Sequence, residues 1–450
     1  MAGRDGTQSV AREGPVVCRA LPIDLSPWTT LRAFAGPRVA WAPPDGPTVV
    51  GAGVAATVSS TGPDRFATVR KEADSLFDRV ELAPSSGVED AVPATARPRL
   101  VGGFSFHDGE DPGCPWTGFP SARFVLPRIQ VVSDADGTWM TATTAGPDAD
   151  AEATEAALDS AVQRIDETPA TRSPPPGIAN VRRTPSRDEW REQVGSVLSR
   201  IDAGDLEKVV LAGTLVARLR GPFRLADTLA RFAETAAGSY RFAVDPGLGA
   251  AFFGATPERL VTRRGREVET EALAGSMGRG GTDAEDDRLS RALVDSPRIR
   301  HEHDLVARTI REQLDQFADD VDVGELGVRK LGSVQHLEMP LAATIREETH
   351  VLSLVEALHP TPAVGGLPPD EARRTIRETE SFDRGWYAGP IGWFDAEGDG
   401  TFAVGIRSAV ARGGEATLFA GNGIVRDSEP DEEWDELQLK YRPVLDQLRS

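Results

Sequence analysis

Apolar positions recur at helical spacing over residues 190–201, where Trp190, Val194, Val197, Leu198 and Ile201 fall on one face. Ser186, with Glu189 three residues on, forms a capping box that starts this helix, and Gly204 stops it. The stretch from Lys208 to Leu219 is rich in valine and leucine and reads as a strand. Its two-residue period puts Lys208 on the face of Val210, Ala212 and Thr214. A second helix is predicted from Ser296-Pro297, a cap residue followed by proline at the first helical position, with Ile299, Val306, Ile310 and Phe317 on its buried side. Glu302 falls on that side as well. A last helix is predicted after Ser428-Glu429-Pro430, with Trp434, Leu437, Val444 and Leu448 on its apolar face, and Pro443 is expected to kink it or end it early.

Upstream, residues 1–145 read as short strands and turns, such as Pro47-Thr48-Val49-Val50 and Val101-Gly102-Gly103-Phe104-Ser105-Phe106, punctuated by glycine and proline. Residues 150–170 are rich in alanine and glutamate and predict a helix. Arg172-Ser173-Pro174-Pro175-Pro176-Gly177 then breaks any regular element. The expected organisation is a β-rich segment over 1–170, part of the same overall fold, and a catalytic region over 185–450. No internal repeat of 20–50 residues is visible.

Composition narrows the function classes. The 70 acidic residues outnumber the 50 basic ones, a formal net charge of −20, and that field repels nucleic acid and anionic membrane surfaces. An anionic substrate must therefore meet a local cationic pocket. The same acidity, with abundant alanine, reads as adaptation to concentrated salt. Cys18 and Cys114 stand far apart with no zinc spacing, which predicts two reduced structural thiols. No signal-peptide pattern and no apolar run near 18 residues is present, so a cytoplasmic protein is expected.

The lysines are the sharpest compositional signal. Lys71, Lys208, Lys330 and Lys440 are the whole complement, against arginine at every other basic position. Arginine keeps its proton in a protein, whereas a buried lysine amine can lose it. Lys440 lies one turn after Glu436, which allows a surface ion pair or a paired site. Glu302 on a buried face is either a structural ion-pair partner or a ligand for a hard cation such as Mg²⁺. His301 and His303 are two apart and point to different faces, which argues against a helical zinc site. Thr256-Pro257-Glu258 follows an apolar strand, and Arg407 sits within another, Val404 to Ala409. The glycine-rich segments Leu273-Ala274-Gly275-Ser276, Gly278-Arg279-Gly280-Gly281 and Ala420-Gly421-Asn422-Gly423 read as turns able to bring backbone N–H groups near an anion; none is a P-loop or a dinucleotide fingerprint.

Together these segments resemble the chorismate-utilising enzymes, and most closely the isochorismate synthases. The resemblance runs from about Arg187 to Lys440 through Glu207 to Ala212, Thr256 to Leu260, Leu273 to Ser276, Arg300 to His303, His359-Pro360-Thr361-Pro362-Ala363, Arg384-Gly385-Trp386-Tyr387-Ala388-Gly389 and Ala420 to Val425. Further upstream it is carried by Gly102-Gly103-Phe104 alone. It implies an α+β fold of large antiparallel sheets packed face to face, with outer helices and a site in a cleft. It implies that water adds at C2 of chorismate while the C4 hydroxyl leaves, with Lys208 as the general base and Glu258 as the general acid. Glu302 and Glu436 would hold Mg²⁺, and Gly275, Ser276, Ala363, Arg407, Gly421 and Lys440 would line the substrate site.

Such chemistry needs these residue types. Hydroxide leaves poorly unless protonated, water attacks poorly unless deprotonated, and each positioned proton transfer contributes ~10²–10⁴-fold. The sister activities part at single positions. Aminodeoxychorismate synthases usually carry lysine where Ala274 stands. Anthranilate synthases usually carry glutamine where Lys208 stands and draw ammonia from a glutaminase subunit, so no such partner is expected here. Salicylate synthases share the lysine but lack the His359-Pro360-Thr361-Pro362 form. Gly213 is a departure, since many relatives carry arginine there. The expected product is isochorismate for menaquinone synthesis, with siderophore or salicylate supply as an alternative. A reading of another class is a catalytically silent chorismate-binding regulatory module.

Overall fold

A computed structural model describes residues 13–89, 91–109, 113–169, 171–332 and 334–449. The strand reading of 1–145 thus lies outside the described residues at 1–12, 90 and 110–112.

The long apolar run Lys208–Leu219 forms a strand buried on both faces for most of its length, which is why it shows little polar alternation. It pairs with Glu415–Ile424 on one side and with Ile178–Thr184 and the short Gly366–Leu367 on the other. From there a sheet of thirteen strands continues through Ser408–Arg412, Ala250–Thr256 and Tyr240–Asp245 into strands from the first 145 residues. A second sheet of ten strands is centred on Glu267–Gly278, Arg259–Arg264 and Gly400–Val404, and it too takes in N-terminal strands such as Leu100–Phe104. Every described pairing is antiparallel except Val16–Pro22 with Val80–Pro84. One continuous apolar core, including Trp41, Phe124, Phe252, Trp386 and Phe402, joins the two sheets, with ten described helices around them. This is the expected α+β arrangement. No described helix is long and apolar enough to cross a membrane.

The predicted helices form with their predicted caps. Ser186 and Glu189 close the capping box of Arg187–Asp202, and the Ser296 side chain accepts from the Ile299 N–H at the start of Pro297–Leu314. Phe317 falls beyond the end of that helix, half-buried in the following turn. The last helix, Pro430–Leu448, does not end at Pro443 but runs five residues past it. An internal proline costs about 3 kcal/mol. Burial of Tyr441, Val444, Leu445 and Leu448 offsets this at about 1.5–3 kcal/mol for each large apolar side chain.

Two of the three glycine-rich segments are strand rather than turn. Gly421 and Gly423 lie within Glu415–Ile424, and Gly275 lies within Glu267–Gly278. Arg407 departs from its strand reading as well. The strands stop at Val404 and resume at Ser408, and Arg407 occupies the connection at φ +50. Gly213 packs under the last helix. A Cβ there would lie 3.1 Å from Tyr441 Oη and 3.2 Å from Leu437 Cδ2, so any side chain at this position presses on the last helix. Gly213→Arg is expected to destabilise the fold by about 1–3 kcal/mol through overpacking, read as a fall in Tm.

Candidate active site

Nine of the residues singled out above line one cleft at the junction of the sheets: Glu258, Gly275, Ser276, Glu302, Ala363, Arg407, Gly421, Glu436 and Lys440. It encloses about 920 Å³, its open mouth included. The tenth, Lys208, stands directly behind the wall. It is 1% exposed, and its Nζ lies 2.8 Å from Glu302 Oε1.

The Lys208–Glu302 contact joins the start of the 208–219 strand to the helix Pro297–Leu314, and glycines make room for it. A Cβ on Gly423 would lie 2.8 Å from both Glu302 Oε1 and Lys208 Cε. Gly275, at φ +74, sits in a β-bulge where the pairing with Val334–Ile345 shifts register. A Cβ on it would lie 2.3 Å from Ile299 Cγ2, one turn before Glu302 on the same helix. Burial acts to raise the Glu302 pKa, but the charge and hydrogen bond of Lys208, with Lys440 and Arg298 behind, outweigh it and bring it below the usual value.

Glu258 follows the strand Ala250–Thr256 at the point where the chain crosses from the larger sheet to the smaller. It is 5% exposed, and Thr361 Oγ1 donates to its Oε1 at 3.4 Å. Burial first, and then the Glu271 carboxylate, push its pKa up to about 8 against the opposing pull of Lys208, Thr361 and Arg329. A glutamate so placed is protonated at neutral pH.

Arg407 is buried in the opposite wall. Its Nη2 faces His336 Nε2 at 3.4 Å, and its buried Nη1 has no hydrogen-bond partner. Burial lowers its pKa to about 10. His336 was not singled out from the sequence. Burial and the neighbouring Arg407 hold it well below its usual pKa, so the ring is neutral. Its Nε2 accepts from Arg407, which leaves the hydrogen on Nδ1, 3.0 Å from Ser276 Oγ. The cross-strand register Ser276↔His336 makes this contact, and no local spacing announces it.

On the third side, Lys440 Nζ reaches Glu436 Oε1 at 2.7 Å, Asn422 Oδ1 at 2.7 Å and the Gly421 carbonyl at 3.0 Å. The i,i+4 pair therefore forms, but against the cleft rather than free in solvent. Glu433, one turn earlier, also lines the cleft and escaped notice in the sequence. Ser428 Oγ and Asn422 Nδ2 donate to it at 2.8 and 3.0 Å. Burial, then the charges of Glu436 and Glu302, raise its pKa to about 7. Another unforeseen pair is Arg384 with Glu380, both almost fully buried. Arg384 donates to the carbonyls of Val210 and Val364 at 2.7 and 2.9 Å, and Glu380 Oε1 accepts from the Ala212 N–H at 2.8 Å. This pair ties the lysine strand to the segment that carries Thr361 and Ala363.

Among the described residues, no three of His, Cys, Asp and Glu come together as a closed metal site. Mg²⁺ needs fewer, because it takes one or two carboxylates and fills its shell with water or substrate oxygens. Glu302 and Glu436 facing an open cleft fit that pattern. Glu433 stands beside them, its pKa raised first by burial and then by the charges of Glu436 and Glu302, against the pull of Ser428 and Lys440. Three basic side chains, Arg298, Arg407 and Lys440, line the cleft, with Lys208 behind its wall, alongside Glu302, Glu436 and two carboxyls, Glu258 and Glu433, whose pKa values are raised. Cationic side chains are thus gathered at this pocket in a protein of net charge −20.

The family model described as chorismate binding enzyme matches residues 13–449. The isochorismate synthase MenF of Bacillus subtilis is 33% identical over 93% of this chain and 89% of its own length. The salicylate biosynthesis isochorismate synthase of Pseudomonas aeruginosa is 36% identical over 98% and 92%. Among solved structures, the menaquinone-specific isochorismate synthase MenF of Escherichia coli superposes with a TM-score of 0.79 over 99% of this chain and 97% of that one, at 24% identity.

Two outcomes are expected. Gly423→Ala should displace the Lys208–Glu302 pair and lower kcat/KM by about 10²-fold or more, the scale of one lost proton-transfer group, with the far-ultraviolet circular dichroism unchanged. Glu258→Gln should change how stability depends on pH. Folded Glu258 keeps its proton to about pH 8, whereas an unfolded glutamate loses it near pH ~4.3. Its contribution is therefore complete below the unfolded value and is lost as pH rises through the folded one. The variant's gain in Tm over the parent should be larger at pH 8 than at pH 5 in calorimetry.

Proposed function

We propose that this chain, which belongs to the family of chorismate-binding enzymes, is an isochorismate synthase that converts chorismate to isochorismate with water as nucleophile. The observation that carries the reading is a cleft lined by a glutamate held protonated, with a buried lysine directly behind its wall against Glu302. The named relatives, isochorismate synthases of both menaquinone and salicylate routes, support the same product. The MenF relatives favour menaquinone synthesis as its destination.

In this reading, Lys208 takes a proton from water as the water oxygen bonds to C2. Both ring double bonds shift, C1=C2 to C1=C6 and C5=C6 to C4=C5, the C4–oxygen bond breaks, and Glu258 gives its proton to the departing hydroxyl, which leaves as water. No atom is gained or lost, so the product is an isomer of the substrate. Both groups end the reaction in the wrong protonation state, and a proton must return from Lys208 to Glu258 before the next turnover. A pKa near 8 suits Glu258 to both halves of this cycle, since it holds a proton at neutral pH and surrenders it without great cost.

Arg407, with an unpartnered Nη1 in the wall, and Lys440 would face the carboxylates of the substrate. Ser276, oriented by His336, and the bare backbones of Gly275 and Gly421 with the small Ala363 would leave space for the ring. Glu302 and Glu436 would hold Mg²⁺, which when bound would supply positive charge to a substrate carboxylate and draw the charge of Glu302 away from Lys208. A lysine base rather than glutamine at position 208 means that no ammonia, and no glutaminase partner, is required.

Purified protein incubated with chorismate and Mg²⁺ is expected to form isochorismate without ammonia, and chelation by EDTA should abolish turnover until Mg²⁺ is restored. Lys208→Ala should lower kcat by ~10²–10⁴-fold. Anthranilate formed only with ammonia, or salicylate with release of pyruvate, would overturn the assignment.

A further inference from the structure

We propose that Glu271 and Arg329, backed by Glu338, are positioning residues for Glu258: they clamp the two peptide groups that flank it and set the net negative charge it faces. The inference rests on the reading of Glu258 as the acid and goes beyond it to what holds the acid in place.

The clamp is visible in the backbone. Glu258 lies in the short link between Ala250–Thr256 in one sheet and Arg259–Arg264 in the other. The ladders reach the link only through the Val404 N–H, which donates to the Glu258 carbonyl at 3.0 Å, and the Glu258 N–H turns back to Thr256 Oγ1 at 3.3 Å. On its N-terminal side, Arg329 Nη1 donates to the Pro257 carbonyl at 2.7 Å. On its C-terminal side, the Arg259 N–H donates to Glu271 Oε1 at 2.9 Å. The two holding groups are themselves a fork, with Arg329 Nη1 and Nη2 each 2.8 Å from one Glu271 oxygen. Arg329 Nε reaches Glu338 Oε2 at 3.0 Å and its Nη2 bonds Glu338 Oε1, which fixes the guanidinium plane. All three side chains come from neighbouring strands of the smaller sheet, Glu267–Gly278, Gly327–Lys330 and Val334–Ile345.

The charge is equally specific. Glu267, Glu269 and Glu271 occupy alternate positions of one strand, two exposed and the third only 3% exposed. Burying a carboxylate is costly even when paired. An apolar residue at 271 would serve packing alone, yet a carboxylate stands there. Arg259 Nη2 also stands 3.9 Å from Glu271 Oε2 and pairs with Glu269, so three carboxylates against two guanidinium groups leave the network net negative. Of the groups that face Glu258, burial and then Glu271 favour its protonated form, while Lys208, Thr361 and Arg329 oppose it, with Arg407 and Tyr387 further along the wall. Glu271 is thus the neighbouring carboxylate that favours the loaded acid, and Arg329 holds it in place beside Glu258.

The test compares pH–rate profiles of kcat/KM with a ¹³C NMR titration of the Glu258 carboxyl in resting protein. Glu271→Gln keeps an acceptor for the Arg259 N–H but removes the charge. Its alkaline limb and its Glu258 titration should both move down by about one pH unit, so that activity falls about tenfold at pH 8.5 and less than about twofold at pH 6. Glu338→Gln, which touches neither flanking peptide, should shift both in the same direction by less, and it serves if Glu271→Gln fails to fold. An unmoved limb and an unmoved titration in both variants would overturn the inference, even if activity dropped evenly at all pH values. Glu258→Gln separates the two readings. If it is inactive, an unmoved limb sinks the network alone; if it retains activity, the acid assignment falls and takes the network with it.

Discussion

The contact between Lys208 and Glu302 is the constraint around which the cleft is built. It brings the first residue of the strand next to the edge of the larger sheet against the second turn of a helix that packs on the other sheet. Two charges taken out of water attract each other strongly only at close range, and removing one leaves the other buried and uncompensated, at about 3–5 kcal/mol. Everything near them is therefore small or fixed. Gly423 leaves room for the pair itself, and Gly275 lets the helix approach by accepting Ile299 where a Cβ would stand. These glycines are required by close approach, and they lie inside strands, where glycine otherwise weakens the ladder.

The electrostatics of the cleft follow from the same economy of space. Burial acts to raise the pKa of Glu258, Glu302 and Glu433 alike, yet their fates diverge by neighbour. Glu302 has a lysine at 2.8 Å and is driven to the ionised side. Glu258 has a hydroxyl at 3.4 Å and a second carboxylate nearby, and is driven to the protonated side. Glu433 rises because Glu436 and Glu302 are close. One cleft thus holds an acid, a paired lysine and a cation-binding corner, separated by which partner each group meets rather than by distance from solvent.

Much of this was legible in the chain. The helix caps at Ser186 and Ser296 act within three residues and form as the spacing says. The rarity of lysine drew attention to Lys208 and Lys440, and both stand at the cleft. Lys330 proves to pair with Asp286 and Asp287 at the surface, and nothing in the structure explains why Lys71, exposed on its helix, is lysine. Where local reading failed, a distant contact prevailed. Pro443 does not stop its helix because the turn after it is buried against the core, and the glycine-rich turns at 273–276 and 420–423 are strands because neighbouring strands supply their hydrogen bonds.

The sequence by itself determined the elements, their caps and the residue types able to exchange protons, because those depend on periodicity and on the chemistry of single side chains. It could not announce His336, Glu433 or the Arg384–Glu380 and Glu271–Arg329 pairs, which join residues 4 to 174 positions from their partners through sheet register and burial. Nor could it say which carboxylate carries a proton. That is decided by desolvation and by the charge within a few ångströms, and both exist only once the two sheets have closed over the cleft.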